Sequence, residues 1–215
     1  MAAPNYSAIA QLVEQWTVNP SVPGSSPGRG AKYNWRYIMT IGKRVPNTNW
    51  PIRVRDESIG GDNPFRWDEL LSSDIFKDRR VLVFSLPGAF TPTCSTMQVP
   101  GFVENADLIK SMGIDDIYVV SVNDTFTMRK WMVEQNALDA IKFIPDGNGD
   151  FTEGMGMLVE KCNLGFGKRS WRYAMVVDDF VVEKFFEEPG IEDNCDSDPY
   201  GETSPQAVID YLKSL

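Results

Sequence analysis

The apolar run Val81-Leu82-Val83-Phe84-Ser85-Leu86 passes directly into Pro87-Gly88-Ala89-Phe90-Thr91-Pro92-Thr93-Cys94. No other feature of the chain constrains its fold as tightly. A nearly continuous apolar run predicts a central strand covered on both faces. The Pro/Gly turn ends that strand, and a helix then opens with a cysteine in its first turn. Unpaired backbone N–H groups and the positive end of the helix dipole point at a sulfur in that position, favouring the thiolate. Cys94 is therefore the candidate reactive residue.

What can activate it is limited by what the chain lacks. There is no histidine among the 215 residues, which removes Ser-His and Cys-His pairs and every His-containing metal site. Bringing a thiol from about 8.5 to about 6 takes about 3.4 kcal/mol at ~1.36 per unit. A helix terminus contributes ~0.3–1 kcal/mol, and up to ~2 in favourable geometry. The dipole alone falls short, so a cation is needed.

The three cysteines, Cys94, Cys162 and Cys195, lack zinc-like spacing and are too few for a disulfide framework. They predict no metal, no cofactor and a reducing, cytoplasmic setting. The formal charge of −9 argues against nucleic-acid binding, which depends on cations meeting phosphates. No apolar stretch approaches the ~18–20 residues of a membrane span, and the first residues lack a secretory pattern. A soluble protein is expected.

Residues 1–38 look foreign to the rest. The stretch from Val18 to Gly30 is Pro/Gly/Ser-rich without apolar periodicity and predicts disorder, with a short helix allowed over Ala8 to Trp16. The segment resembles the product of translating an upstream tRNA gene, which makes Met39 the natural start. A linker or a targeting extension is the alternative. The globular domain is expected over 39–215.

Within it, Pro51 to Asp56 and the region before Phe65 suggest a hairpin or extended segment, and Trp67 to Leu71 a short helix. Val81–Leu86 and Ile117–Val122 read as buried strands. The helix after Cys94 is expected to reach about Met112, with Pro100 kinking or interrupting it. Asp124 can cap a helix carrying Phe126, Trp131 and Met132. Phe143-Ile144-Pro145 reads as a third strand ending in the turn Asp146 to Gly149, followed by a helix around Phe151 to Leu158. Tyr173–Val177 and Val181–Phe186 form a hairpin across Asp178-Asp179. Ser204 and Pro205 open a last helix. This order predicts an α/β fold of thioredoxin-like arrangement, a mixed central sheet with helices on both faces.

The stretches VLVFSLPGAFTPTCS, VVSVNDTF, FIPDGNGDFTEGMGM and LGFGKRSWRYAMVVDD resemble peroxiredoxins of the type II (peroxiredoxin-5) subfamily, notably bacterial members that use glutathione and are sometimes fused to glutaredoxin. The likeness spans about residues 39–215. It implies that Cys94 is the peroxidatic cysteine, that Thr91 and Pro87 shape its pocket, and that Arg172 is the cation facing the sulfur. Arg169 falls on a second family arginine nearby. Such an enzyme reduces hydrogen peroxide and alkyl hydroperoxides, passes through a cysteine sulfenic acid, and works as a homodimer. The Thr91 hydroxyl, the Arg172 guanidinium and the amides beside Cys94 are the donors expected to hold the peroxide. Without the resemblance, Asn123 and Asp124 read as a strand-end turn and helix cap, and Met155, Met157 and Trp171 as packing or dimer contacts.

Two positions depart from the family pattern. Gln98 stands where many relatives carry histidine, a change expected to cost little. Phe180 follows Asp178-Asp179 where glycine is usual. Phenylalanine disfavours φ > 0, so a loop other than a tight type I′ turn is expected there, with a local stability cost.

How the sulfenic acid is resolved stays open. Cys195, in the acidic loop Glu192-Asp193-Asn194-Cys195-Asp196, is a possible resolving thiol with thioredoxin as reductant, although nearby carboxylates disfavour its thiolate. Cys162 has less to recommend it. Turnover on Cys94 alone, with glutathione or glutaredoxin, is the preferred reading. A disulfide reductase would need a cysteine at position 91, where Thr91 stands. A non-cycling redox sensor or chaperone-like binder using the same thiol is the non-enzymatic alternative.

Overall fold

A computed structural model describes residues 41–215; the expectations for residues 1–38 and Met39 lie outside the described residues. The first strands among the described residues form an antiparallel hairpin, β1 (Asn49–Arg55) paired with β2 (Phe65–Leu71) over seven residues. Residues Trp67 to Leu71 are thus strand, not helix. Their composition suits either state, and the facing strand Asn49–Arg55 decides it by supplying a full ladder of backbone partners. A short helix, α1 (Ser72–Phe76), leads into β3 (Arg80–Ser85).

The central sheet has five strands in the order β5-β4-β3-β8-β9, with β4 (Asp116–Ser121), β5 (Lys142–Pro145), β8 (Tyr173–Asp178) and β9 (Val181–Glu187). β3 runs parallel to β4 and antiparallel to β8, so the sheet is mixed as expected. Alternation along β3 splits its side chains between two cores. Leu82 and Phe84 join the cluster built with Phe102, Ile109, Trp131 and Val208, while Val81 and Val83 join one with Phe76, Phe151, Trp171 and Phe185. Phe84 stacks on Phe102 with ring centroids 4.0 Å apart. Burial on both faces explains the apolar run.

The helix carrying Cys94 opens at Pro92 and is not one regular rod to Met112. Residues Cys94–Gln98 form a π turn, α2 covers Val99–Glu104, and after a break at Asn105 α3 covers Ala106–Ser111. The Val99 amide reaches back five residues to the Cys94 carbonyl. Pro100 accounts for this opening, since it has no N–H to donate and its ring crowds the carbonyl four residues back. At Asn105, both the backbone amide and the side-chain amide donate to the Gly101 carbonyl, which ends the segment.

Asp124 caps α4 (Thr125–Glu134) by accepting from the amides of Phe126 and Thr127. Trp131 and Met132 are buried, whereas Phe126 is exposed. The next helix, α5 (Asp150–Gly154), stops short of Leu158. There a small hairpin, β6 (Leu158–Glu160) with β7 (Lys168–Ser170), takes over, too short to leave a sequence pattern. α6 (Pro205–Lys213) starts at the Ser204 cap, whose side chain accepts from the Ala207 amide.

The β8–β9 connection corrects one expectation. Asp179 and Phe180 both have positive φ, 39° and 69°, so the tight primed turn is kept despite the phenylalanine. Its ring lies 5.9 Å from Phe76 and under the Arg44 guanidinium, and its carbonyl accepts from Val45. These contacts offset the backbone cost.

Candidate active site

The turn after β3 carries the chain from the carboxyl end of that strand into the helix that holds Cys94. Phe90 takes a left-handed conformation (φ 64°), and the chain then enters the helix with Thr91 accepting the Ser95 amide at 3.0 Å. Asn123, at the end of β4, holds the turn from the side: its Oδ1 accepts from the Ala89 amide at 3.0 Å and the Ser121 hydroxyl at 2.8 Å. The strand-end residue therefore also positions the loop. Trp131 on α4 donates to Ser95 Oγ at 3.0 Å, tying the residue after Cys94 to the next helix.

Cys94 is buried in the Leu82–Phe84 core, and its sulfur is 3.5 Å from Nη1 of Arg172. Arg172 lies 78 residues downstream, just before β8, and is only 1% exposed. A buried guanidinium must have its N–H groups met, and the contacts are specific. Nη1 also donates to Gln98 Oε1, Nε donates to the Pro199 carbonyl at 3.0 Å, and Nη2 pairs with the Asp198 carboxylate. The Tyr200 ring lies 5.5 Å from the guanidinium carbon. Burial raises the Tyr200 phenol above its usual range, against the opposing pull of Arg172.

Gln98 is thus part of the site. It is fully buried, and its amide nitrogen reaches the Ser85 carbonyl at 3.4 Å. The side chain that replaces the family's histidine therefore joins β3 to the arginine. Its place one turn after Cys94 was the available signal. Nothing local signalled Asp198, Pro199 or Tyr200.

The Thr91 hydroxyl also differs from expectation. It bonds the Gly88 carbonyl at 2.8 Å, and since a carbonyl only accepts, the hydroxyl proton is used there. Thr91 then has lone pairs to offer to an O–H, in place of the expected donor to the peroxide. Pro87 is half-buried at the start of the turn. Arg169 bonds the carbonyls of Val122 (3.4 Å) and Lys168 (3.0 Å). Burial lowers its basicity, and it flanks Gly88.

The other thiols lie elsewhere. Cys195 belongs to the core on the opposite face of the sheet, with its sulfur 3.1 Å from Ser197 Oγ. Cys162 is exposed; its hydrogen bond to Glu160, then partial desolvation and the charges of Glu160 and Asp193, push its thiol up. Trp171 is buried and donates to the Glu188 carbonyl at 2.8 Å, while Met157 is a core residue. Among the described residues, no cluster of three or more His, Cys, Asp or Glu could hold a metal ion, and no helix is long and apolar enough to cross a membrane.

The Redoxin family profile matches residues 68–201. A peroxiredoxin of Sinorhizobium fredii is 53% identical over 177 residues, covering 82% of this chain and 94% of that one. The hybrid peroxiredoxin hyPrx5 of Haemophilus influenzae is 48% identical over 80% of this chain and 65% of its own length. A crystal structure of the Plasmodium falciparum antioxidant protein, a 1-Cys peroxiredoxin, superimposes with a TM-score of 0.74 at 35% identity, covering 81% of this chain and 99% of that one. Fold and relatives together define a thiol-dependent peroxidase on a thioredoxin-like sheet. Within that class, the chain belongs to the peroxiredoxin family, in its type II (peroxiredoxin-5) subfamily.

Proposed function

We propose that Cys94 is the peroxidatic residue and that it turns over as the single essential thiol, with glutathione or glutaredoxin as reductant. The observation that carries this reading is the Arg172 Nη1 placed 3.5 Å from the Cys94 sulfur, with both side chains buried. The thiolate attacks one oxygen of hydrogen peroxide or an alkyl hydroperoxide, and the O–O bond breaks. The departing oxygen takes a proton and leaves as water or alcohol, and Cys94 becomes a sulfenic acid. Arg172 stabilises the thiolate and the charge on the departing oxygen. Thr91 accepts from the hydroperoxide O–H, and Pro87 limits water.

One glutathione thiol then condenses with the sulfenic acid, releasing water and forming a mixed disulfide. A second thiol attacks that disulfide and returns Cys94 as a thiol. The place of Cys195, across the sheet from Cys94, favours external reduction over internal resolution. The peroxidase domain is read as residues 39–215, acting in the cytoplasm as a homodimer.

A steady-state assay crossing hydrogen peroxide and cumene hydroperoxide with glutathione/glutaredoxin and with thioredoxin tests the reading. Cys94→Ser should abolish turnover, and Cys195→Ser should leave glutathione-driven turnover within about twofold. Turnover by thioredoxin alone, lost in Cys195→Ser, would replace it with a two-cysteine mechanism.

A further inference from the structure

We propose that Asp198, together with the Pro199 carbonyl, positions Arg172 for peroxide reduction, so that the loop before α6 sets the aim of the guanidinium. The proposal rests on Cys94 being the attacking thiol.

The geometry divides the guanidinium into two sides. Nε and Nη2 share one edge of the planar fork, and both are taken by consecutive residues of this loop, Nε by the Pro199 carbonyl and Nη2 by the Asp198 carboxylate. With that edge gripped, Nη1 is the corner left to face Cys94 and Gln98. The strand alone does not impose this, because Arg172 precedes β8 and its side chain has several rotatable bonds. The Tyr200 ring, on the same loop, packs beside the guanidinium.

The loop is itself anchored independently. The amides of Gly201 and Thr203 and the Thr203 hydroxyl all donate to Glu188, a buried carboxylate, at 2.8, 2.9 and 2.8 Å. At its other end, buried Lys161 donates to the Cys195 carbonyl at 2.9 Å. A segment fixed at both ends can hold a side chain at its middle, which an ordinary surface carboxylate cannot. Asp198 remains about half exposed, so replacing it removes little packing.

Two rates separate positioning from a general role. Iodoacetamide alkylation of Cys94 reports an available thiolate, whereas peroxide oxidation also needs the guanidinium aligned on the departing oxygen. In the full chain, Asp198→Ala should slow single-turnover oxidation by hydrogen peroxide about 30-fold or more while changing alkylation less than about threefold. Asp198→Asn keeps an oxygen that can accept from Nη2 and should recover to within about fivefold of the parent. Asp198→Ser, too short to reach, should behave like the alanine variant and serves if that one folds poorly. Oxidation within twofold of the parent in both short variants, equal losses in the two rates, or an asparagine variant as slow as alanine would each overturn the proposal. Peroxide oxidation surviving in Cys94→Ser would instead remove the reading on which it rests.

Discussion

Gly88 sets how closely the turn after β3 can approach the residues around it. A β-carbon at that position would meet Thr91 Cγ2 at 3.3 Å, Arg169 Nε at 3.6 Å and Asn123 Oδ1 at 3.7 Å. The first contact is tight enough that Thr91 must move by a few tenths of an ångström, and Thr91 belongs to the proposed peroxide pocket. Gly88→Ala should therefore cost activity more than stability: about a tenfold fall in peroxide kcat/KM by stopped-flow, with unfolding free energy changed by less than about 1 kcal/mol. Unchanged kinetics would show that the turn has slack. The same scale shows what a motif conveys. Pro87, Thr91 and Cys94 stand out together because one tight turn needs them in sequence, whereas Gln98 gains its importance from Arg172, a partner distant in the chain.

At the scale of elements, Asp116 ties three of them together. It opens β4, and its carboxylate pairs with Arg79, just before β3, and with Lys142 at the start of β5, the latter at 2.7 Å. Burial by itself would raise this carboxyl, but the hydrogen bonds and charges of Lys142 and Arg79 outweigh it and hold it below the usual carboxylate range. A carboxyl lowered on folding adds stability that is present above its unfolded value near ~3.9 and is lost as pH falls through the lowered folded value. Asp116→Asn should thus lose about 1–3 kcal/mol in urea unfolding at pH 7. The gap to the parent should narrow as pH drops below about 4, and a gap that stays constant to pH 3 would show that the charge contributes nothing. Elements were legible where periodicity is strong, as in β3, β4 and α4. They were not where backbone pairing with a remote segment decides, as in β2, or where the element is as short as β6.

Over the whole molecule, the central sheet separates two cores, and the thiols Cys94 and Cys195 sit in different ones. A disulfide needs Cα atoms within about 7 Å, so joining them would require the loop before α6 to leave its core. Peroxide added without reductant should leave Cys94 and Cys195 unlinked, with mass increments of one to three oxygens on Cys94 by intact-mass and peptide analysis. A dominant Cys94–Cys195 bridge would mean that the loop rearranges during turnover. What the sequence alone determined is local: a doubly covered strand, the turn that ends it, and a thiol in the first turn of a helix. Each follows from residues adjacent in the chain, whose sterics and hydrogen bonding act without help from elsewhere. Family resemblance pointed to Arg172 as the partner cation; only the tertiary structure decided how that cation is held, which loop grips it and which cysteine lies out of reach, because these are contacts between residues tens of positions apart, selected by packing against the sheet.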